Sequence, residues 1–330
     1  MKSNEHRNVA LDFIKGSGVI VMIIHHSLDY FSPGAFVHRY VRFVTGLFIL
    51  VTGFLVTNIY LTKYDITRDK KKISLRLNLR GIKILTLFIV LNLGIKLFIT
   101  EDLAFYSSNL LNSLYTVFIA GNYKIIDFSL LIPISYILIT LGIMIFVCNK
   151  RIWILIPISV CLLIYCSITV LEQQTAYNLR YVVIGITGAA IGFIQKKKCR
   201  WLHDNWYYII FIYGLYTLTI TFVRLLYPIY VASVLINFAF LYMLGTLLNT
   251  DTLFMNSIVL LGNYSLFGYL FQIAVLQILS RILQIQNIPY GSAFIGFLLT
   301  TVITYATISL IHHLRMQSSV INKLYKIVFS

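Results

Sequence analysis

Five ionisable residues crowd into one apolar stretch near the start of the chain: Asp12, Lys15, His25, His26 and Asp29, within LDFIKGSGVIVMIIHHSLDYF. A Lys, Arg or Asp at the middle of a bilayer-spanning helix costs about 2.5–3.5 kcal/mol to insert, so such groups mark a polar cavity or a pairing between helices. Lys15 and His26 are eleven residues apart. On an α-helix that is about 16 Å and close to three turns, which sets a cation and an imidazole on nearly the same face. Asp29 follows His26 by three residues and His25 by four. At either spacing a carboxylate reaches an imidazole on one helix, fixing its tautomer and raising its basicity. An imidazole oriented in this way is suited to general acid–base work.

Other chemistries find little support. There is no GxxxxGK[ST] loop, no GxGxxG after a strand, no HExxH and no GxSxG. The cysteines Cys148, Cys161, Cys166 and Cys199 form no CxxC pair and read as small buried hydrophobes, so neither a disulfide framework nor a metal site is expected. His312 and His313 close the last apolar run, where a structural or helix-dipole role is expected. Asn263-Tyr264-Ser265 fits a glycosylation triplet but sits inside an apolar run.

The elements that must position these residues follow from composition. Of the 330 residues, 59% are hydrophobic and 12% charged, against about 25% charged in a soluble domain. A bilayer accepts that much apolar surface and a soluble core does not. Ten runs approach the roughly 20 apolar residues a spanning helix needs: 9–31, 43–62, 82–99, 126–147, 152–171, 180–195, 206–226, 229–249, 256–284 and 292–314. The ninth is long and is expected to be tilted or broken near Gly262 or Gly268. The stretch 103–120 reads as a re-entrant or interfacial segment. No small-residue cleavage site follows the first run, so it is expected to stay as a spanning helix.

The net charge of +16 is read as topology, not as nucleic-acid binding. With the N-terminus in the cytoplasm, the inner segments hold Lys63, Arg68, Lys70, Lys71, Lys72, Arg76, Arg80 and Lys83, the run Lys196–Lys198 with Arg200, and Lys150, Arg151, Arg315, Lys323 and Lys326. The outer segments hold far fewer, among them Arg39, Arg42, Arg180 and Arg281. This asymmetry is the positive-inside pattern for an even number of helices with both termini cytoplasmic. The fold expected is therefore all-α: one polytopic membrane helix bundle of about ten transmembrane helices over residues 1–330, multi-pass in the plasma (cytoplasmic or inner) membrane.

Four segments resemble the acyltransferase family 3 membrane proteins. The opening RNVALDFIKGSGVIVMIIHH is similar to that family's first helix, with Arg7, Leu11, Asp12, Lys15, Gly16 and His26 at the matching positions. LFILVTGFLVT looks like its second helix, with Thr52 where the family has Ser, before Gly53 and Phe54. LRLNLRGIKIL supplies the basic pair Arg76 and Arg80, without the family's following Pro, and LGNYSLFGYLFQ is similar to a late motif but ends in Gln272 where the family often has His. The neighbouring heparan-type glucosaminide acetyltransferase superfamily shares the first-helix pattern.

The resemblance implies transfer of an acyl group, most often acetyl, from cytoplasmic acetyl-CoA or another acyl-CoA to a hydroxyl or amine of a cell-envelope sugar, glycan or glycolipid. His26, aided by His25 and Asp29, is the expected catalytic centre. Lys15, Arg76, Arg80 and Lys83 are expected to meet the donor, since phosphates bind cationic side chains through charge-assisted hydrogen bonds. Thr52 or Tyr269 is expected to donate to the developing oxyanion. Glu172, Arg180, Tyr269 and Gln272 are expected on the acceptor side. No metal and no nucleic-acid partner are expected. The rival reading is a transporter or flippase of a glycan or glycolipid in which the polar face of the first helix lines a path.

Overall fold

The structure, a computed structural model, describes residues 8–60, 66–95, 115–120, 128–148, 154–169, 177–194, 204–223, 226–248, 252–285 and 292–329. All regular structure among these residues is helical. The helices are α1 Val9–Phe31, α2 His38–Val41, α3 Phe43–Leu55, α4 Ile66–Ile95, α5 Leu131–Cys148, α6 Leu155–Thr169, α7 Tyr177–Ile194, α8 Trp206–Phe222, α9 Tyr227–Leu247, α10 Leu253–Asn263, α11 Ser265–Ile285, α12 Ser292–Gln317 and α13 Ser319–Phe329. Wider π-helical turns occupy Val56–Tyr60 and Tyr115–Ala120.

Among the described residues, five helical stretches are long and apolar enough to cross a membrane: Val9–Phe31, His38–Asn58, Tyr227–Leu247, Ser265–Ile282 and Ala293–Gln317. Leu131–Val147, Leu155–Ile168, Trp206–Phe222 and Leu253–Asn263 are apolar but shorter. The ninth run is two helices, broken near Gly262 as expected, at Tyr264, whose φ of −112° and ψ of 22° leave the helical range. Two expectations need correction. The third run does not begin at residue 82: α4 starts at Ile66, so Arg76, Arg80 and Lys83 ride on a helix instead of a loop leading into one. Cys161 is exposed and Cys166 only half-buried, since both lie on turns of α6 whose outer face no other helix covers among the described residues. α13 lies beyond every run foreseen.

The chain divides into two compact units, Met1–Leu47 with Arg200–Leu226 and Ala232–Ser330, and Phe48–Cys199 with Tyr227–Val231. In the first, α1 packs against α10, α11 and α12. Asn8 caps α1 by accepting from the Leu11 amide at 3.3 Å, and Asp12 stands in the first turn, where negative charge meets the positive end of the helix dipole. Close approach is set by glycine. A Cβ on Gly16 would strike the Ile258 carbonyl of α10, and one on Gly262 would strike the Asp12 carbonyl of α1. Small residues at helix crossings let backbones pack where lipid supplies no hydrophobic drive.

In the second unit α4 lies along α5 through Ile73, Leu77, Ile84 and Phe88, all buried. That i, i+4 stripe leaves Arg76 and Lys83 exposed on the remaining surface. A Cβ on Gly53, Gly188 or Gly192 would meet backbone or side-chain atoms of the facing helix, respectively Gly185, Leu50 and Thr57. α3 and α7 therefore cross through a small-residue seam of the same kind.

Candidate functional site: a histidine–aspartate cluster at the end of α1

The site forms where α1 ends and the chain turns back. After Phe31 the backbone passes through Ser32-Pro33-Gly34, and Gly34 holds φ +88°, a left-handed conformation that glycine reaches without a Cβ clash. The reversal brings in α2, which two contacts fix to the end of α8. Arg39 Nη1 donates to the Thr221 carbonyl at 2.8 Å, and Tyr40 Oη lies 2.6 Å from Thr221 Oγ1. A guanidinium on the last carbonyls of a helix satisfies unpaired acceptors and complements the dipole. His38, one residue before Arg39, is thereby presented to α1.

Asp29 is the hub. Its Oδ1 lies 2.6 Å from His38 Nε2, and its Oδ2 lies 3.0 Å from His25 Nδ1 and 3.7 Å from His26 Nδ1. The first is a short hydrogen bond, whereas the last is too long for one. The ring centroids of His25 stand 5.3 Å from His26 and 4.6 Å from His38. Side-chain exposures of 15%, 23% and 43% for His25, His26 and Asp29 describe a cluster sheltered on its histidine side and open at its carboxylate. Both His25 Nδ1 and His26 Nε2 are buried without a hydrogen-bond partner among the described residues. A buried nitrogen left in that state has a desolvation penalty that is ordinarily avoided.

Around it, Tyr269 of α11 is buried with its ring 6.5 Å from that of His26. One turn further along α11, Gln272 is fully buried and neither atom of its amide finds a partner among the described residues. Ser27, Thr300 and Thr304, on α1 and α12, are buried hydroxyls in the same condition. The three helices α1, α11 and α12 all pack on one another, and each carries a buried polar side chain without a partner among the described residues.

The other expected residues fall elsewhere. Lys15 pairs with buried Asp12 at 2.5 Å, so the cation near the start of α1 is neutralised within its own helix. Thr52 donates its hydroxyl to the Phe48 carbonyl at 2.8 Å, inside its own helix. Arg76, Arg80 and Lys83 lie on α4 at i, i+4 and i+7, one face of a helix. Arg180 lies over the Tyr177 ring at 5.3 Å, and its carbonyl accepts from Tyr227. Glu172 lies outside the described residues. His312 bonds the Tyr264 hydroxyl at 3.0 Å, the structural part expected of it. His38 was missed by sequence reading; the signal was a histidine nine residues after Asp29 across a Pro-Gly pair, the dipeptide that marks a chain reversal.

The chain matches no protein-family model, no curated protein and no solved structure.

Proposed function

We propose that this protein is a multi-pass membrane acyltransferase of ten spans with both termini cytoplasmic, moving an acetyl group from cytoplasmic acetyl-CoA to a hydroxyl or amine of a cell-envelope glycan or glycolipid. The observation that carries the reading is the state of His26. One ring nitrogen faces the Asp29 carboxylate, and the other is buried with no hydrogen-bond partner among the described residues. A general base needs an oriented ring with a lone pair kept for the substrate. The resemblance of residues 7–26, 47–57, 75–85 and 261–272 to acyltransferase family 3 supplies the reaction class.

In this reading the acceptor hydroxyl gives its proton to His26 Nε2 as its oxygen attacks the thioester carbonyl. The carbon–sulfur bond breaks, and the imidazolium returns the proton to the departing CoA thiolate. Tyr269 faces the developing oxyanion, and Gln272, whose buried amide has no partner among the described residues, takes an acceptor hydroxyl. Phosphates bind cationic side chains through charge-assisted hydrogen bonds, and Arg76, Arg80 and Lys83 are the residues the resemblance offers for the donor.

The test is transfer of labelled acetyl from acetyl-CoA to envelope glycan in membranes carrying the protein. His26→Ala is expected to lower the rate about 10²–10⁴-fold, the usual worth of a general base, with unchanged protein level. Undiminished transfer in that variant ends the mechanism. A purified protein that binds no acetyl-CoA favours transport instead.

A further inference from the structure

We propose that His25, Asp29 and His38 form a binding site for a divalent first-row metal ion, zinc by preference. Each residue offers one donor atom, and the three donors lie within 4.8 Å of one another. Two imidazoles and one carboxylate are a ligand set that zinc accepts while keeping its fourth position for water or substrate. No spacing motif betrays the set because its members come from two elements, α1 and the short α2 beyond the turn.

The internal geometry brings both rings to one carboxylate. His25 Nδ1 stands 3.0 Å from Asp29 Oδ2 and has no other partner among the described residues, and His38 Nε2 stands 2.6 Å from Asp29 Oδ1. Each ring thus turns one nitrogen toward the same carboxylate, and a divalent ion seated among them draws on all three groups. The scaffold is set for this: the Gly34 turn and the anchoring of Arg39 and Tyr40 on Thr221 hold His38 in place. The half-exposed Asp29 leaves a way in, as a loadable site requires.

The ion ties the end of α1 to α2 and places a fixed positive charge beside His26, whose ring is 5.3 Å from that of His25. The site shares His25 and Asp29 with the proposed acyl-transfer centre, but its test reads metal binding and not transfer. The protein binds the metal whether or not it moves an acetyl group, and failure of one reading leaves the other standing.

The experiment uses the full chain, purified in detergent, stripped with chelator and titrated with Zn²⁺ alone or with Co²⁺ as a spectroscopic reporter. One equivalent is expected per chain, with visible bands of tetrahedral cobalt. Asp29→Asn and His38→Ala are each expected to weaken binding by more than about 100-fold, beyond the 10–100-fold loss seen when only an outer partner of a ligand is removed. His313→Ala, bonded to Gln317 away from the cluster, is expected to bind as the parent does. His38→Cys guards against misfolding: it is expected to retain binding and add a sulfur-to-cobalt charge-transfer band. Substoichiometric binding by the parent, equal affinity in His38→Ala, or no sulfur band in His38→Cys overturns the site.

Discussion

Asp29 does more than any other residue at the end of α1, since His25, His26 and His38 all meet its carboxylate. Asp29→Asn keeps the shape and removes the charge. Under the proposed mechanism it leaves the imidazolium of His26 without its stabilising partner, and transfer is expected to fall at least about tenfold, less than the roughly 10²–10⁴-fold worth of the base itself. A pair of rate measurements on Asp29→Asn and His26→Ala, alone and combined, checks this. Non-additive losses are expected if the two act as one unit, as they do in other coupled catalytic sets.

The second residue-scale pair is Asp12 with Lys15. Asp12 is 5% exposed, and losing one partner of a buried pair leaves the other charge uncompensated. Asp12→Asn is expected to destabilise by about 2–3 kcal/mol, as for an unpaired cation in lipid. The double change Asp12→Asn with Lys15→Met is expected to recover most of that loss. Thermal unfolding in detergent reads both.

Among the elements, glycine decides which helices touch. Gly16→Ala forces α1 and α10 apart, because its Cβ would meet a backbone carbonyl that has no rotamer to escape into. The expected cost is about 1–3 kcal/mol of overpacking. Gly214 of α8 has nothing within 4 Å of the added carbon. Gly214→Ala is therefore expected to stabilise by about 0.5–1 kcal/mol through helix propensity. Opposite signs from one substitution type, measured as thermal midpoints, separate contact from propensity. Gly34→Ala tests the turn: its open surroundings give no clash, but φ +88° strains an L side chain by about 1–2 kcal/mol.

α13 belongs to the same scale. Tyr325 stacks under Arg315, whose guanidinium is 4.0 Å from the ring, and its centroid is 5.3 Å from Tyr264 at the break between α10 and α11. Ser318 caps the helix by accepting from the Ile321 amide. The opposite face, Val320, Leu324, Ile327 and Val328, is apolar and exposed, the i, i+4, i+7, i+8 stripe of a helix that lies in a membrane interface.

For the whole molecule, the proposed topology predicts that tags on the two termini report from the same side. Protease added to sealed right-side-out vesicles is expected to spare both, and inverted vesicles are expected to lose both. One tag on each side would make the number of crossings odd and displace the ten-span reading. The cation asymmetry that motivates it rests partly on 196–200, which lie outside the described residues.

What could be read without coordinates was whatever depends on type and period. Apolar runs of spanning length located helices, since a bilayer demands that every backbone group be satisfied within its own segment. The His25–His26–Asp29 proximity followed from one helix's own geometry, and so did the break near Gly262. Tertiary structure alone decided the rest. It joined His38 to Asp29 across a turn, buried Gln272 without a partner, and spent the hydroxyl of Thr52 on its own backbone. It also extended α4 back over residues that looked like a basic loop. Each of these depends on how elements meet, and side-chain period along one helix carries no information about its neighbour.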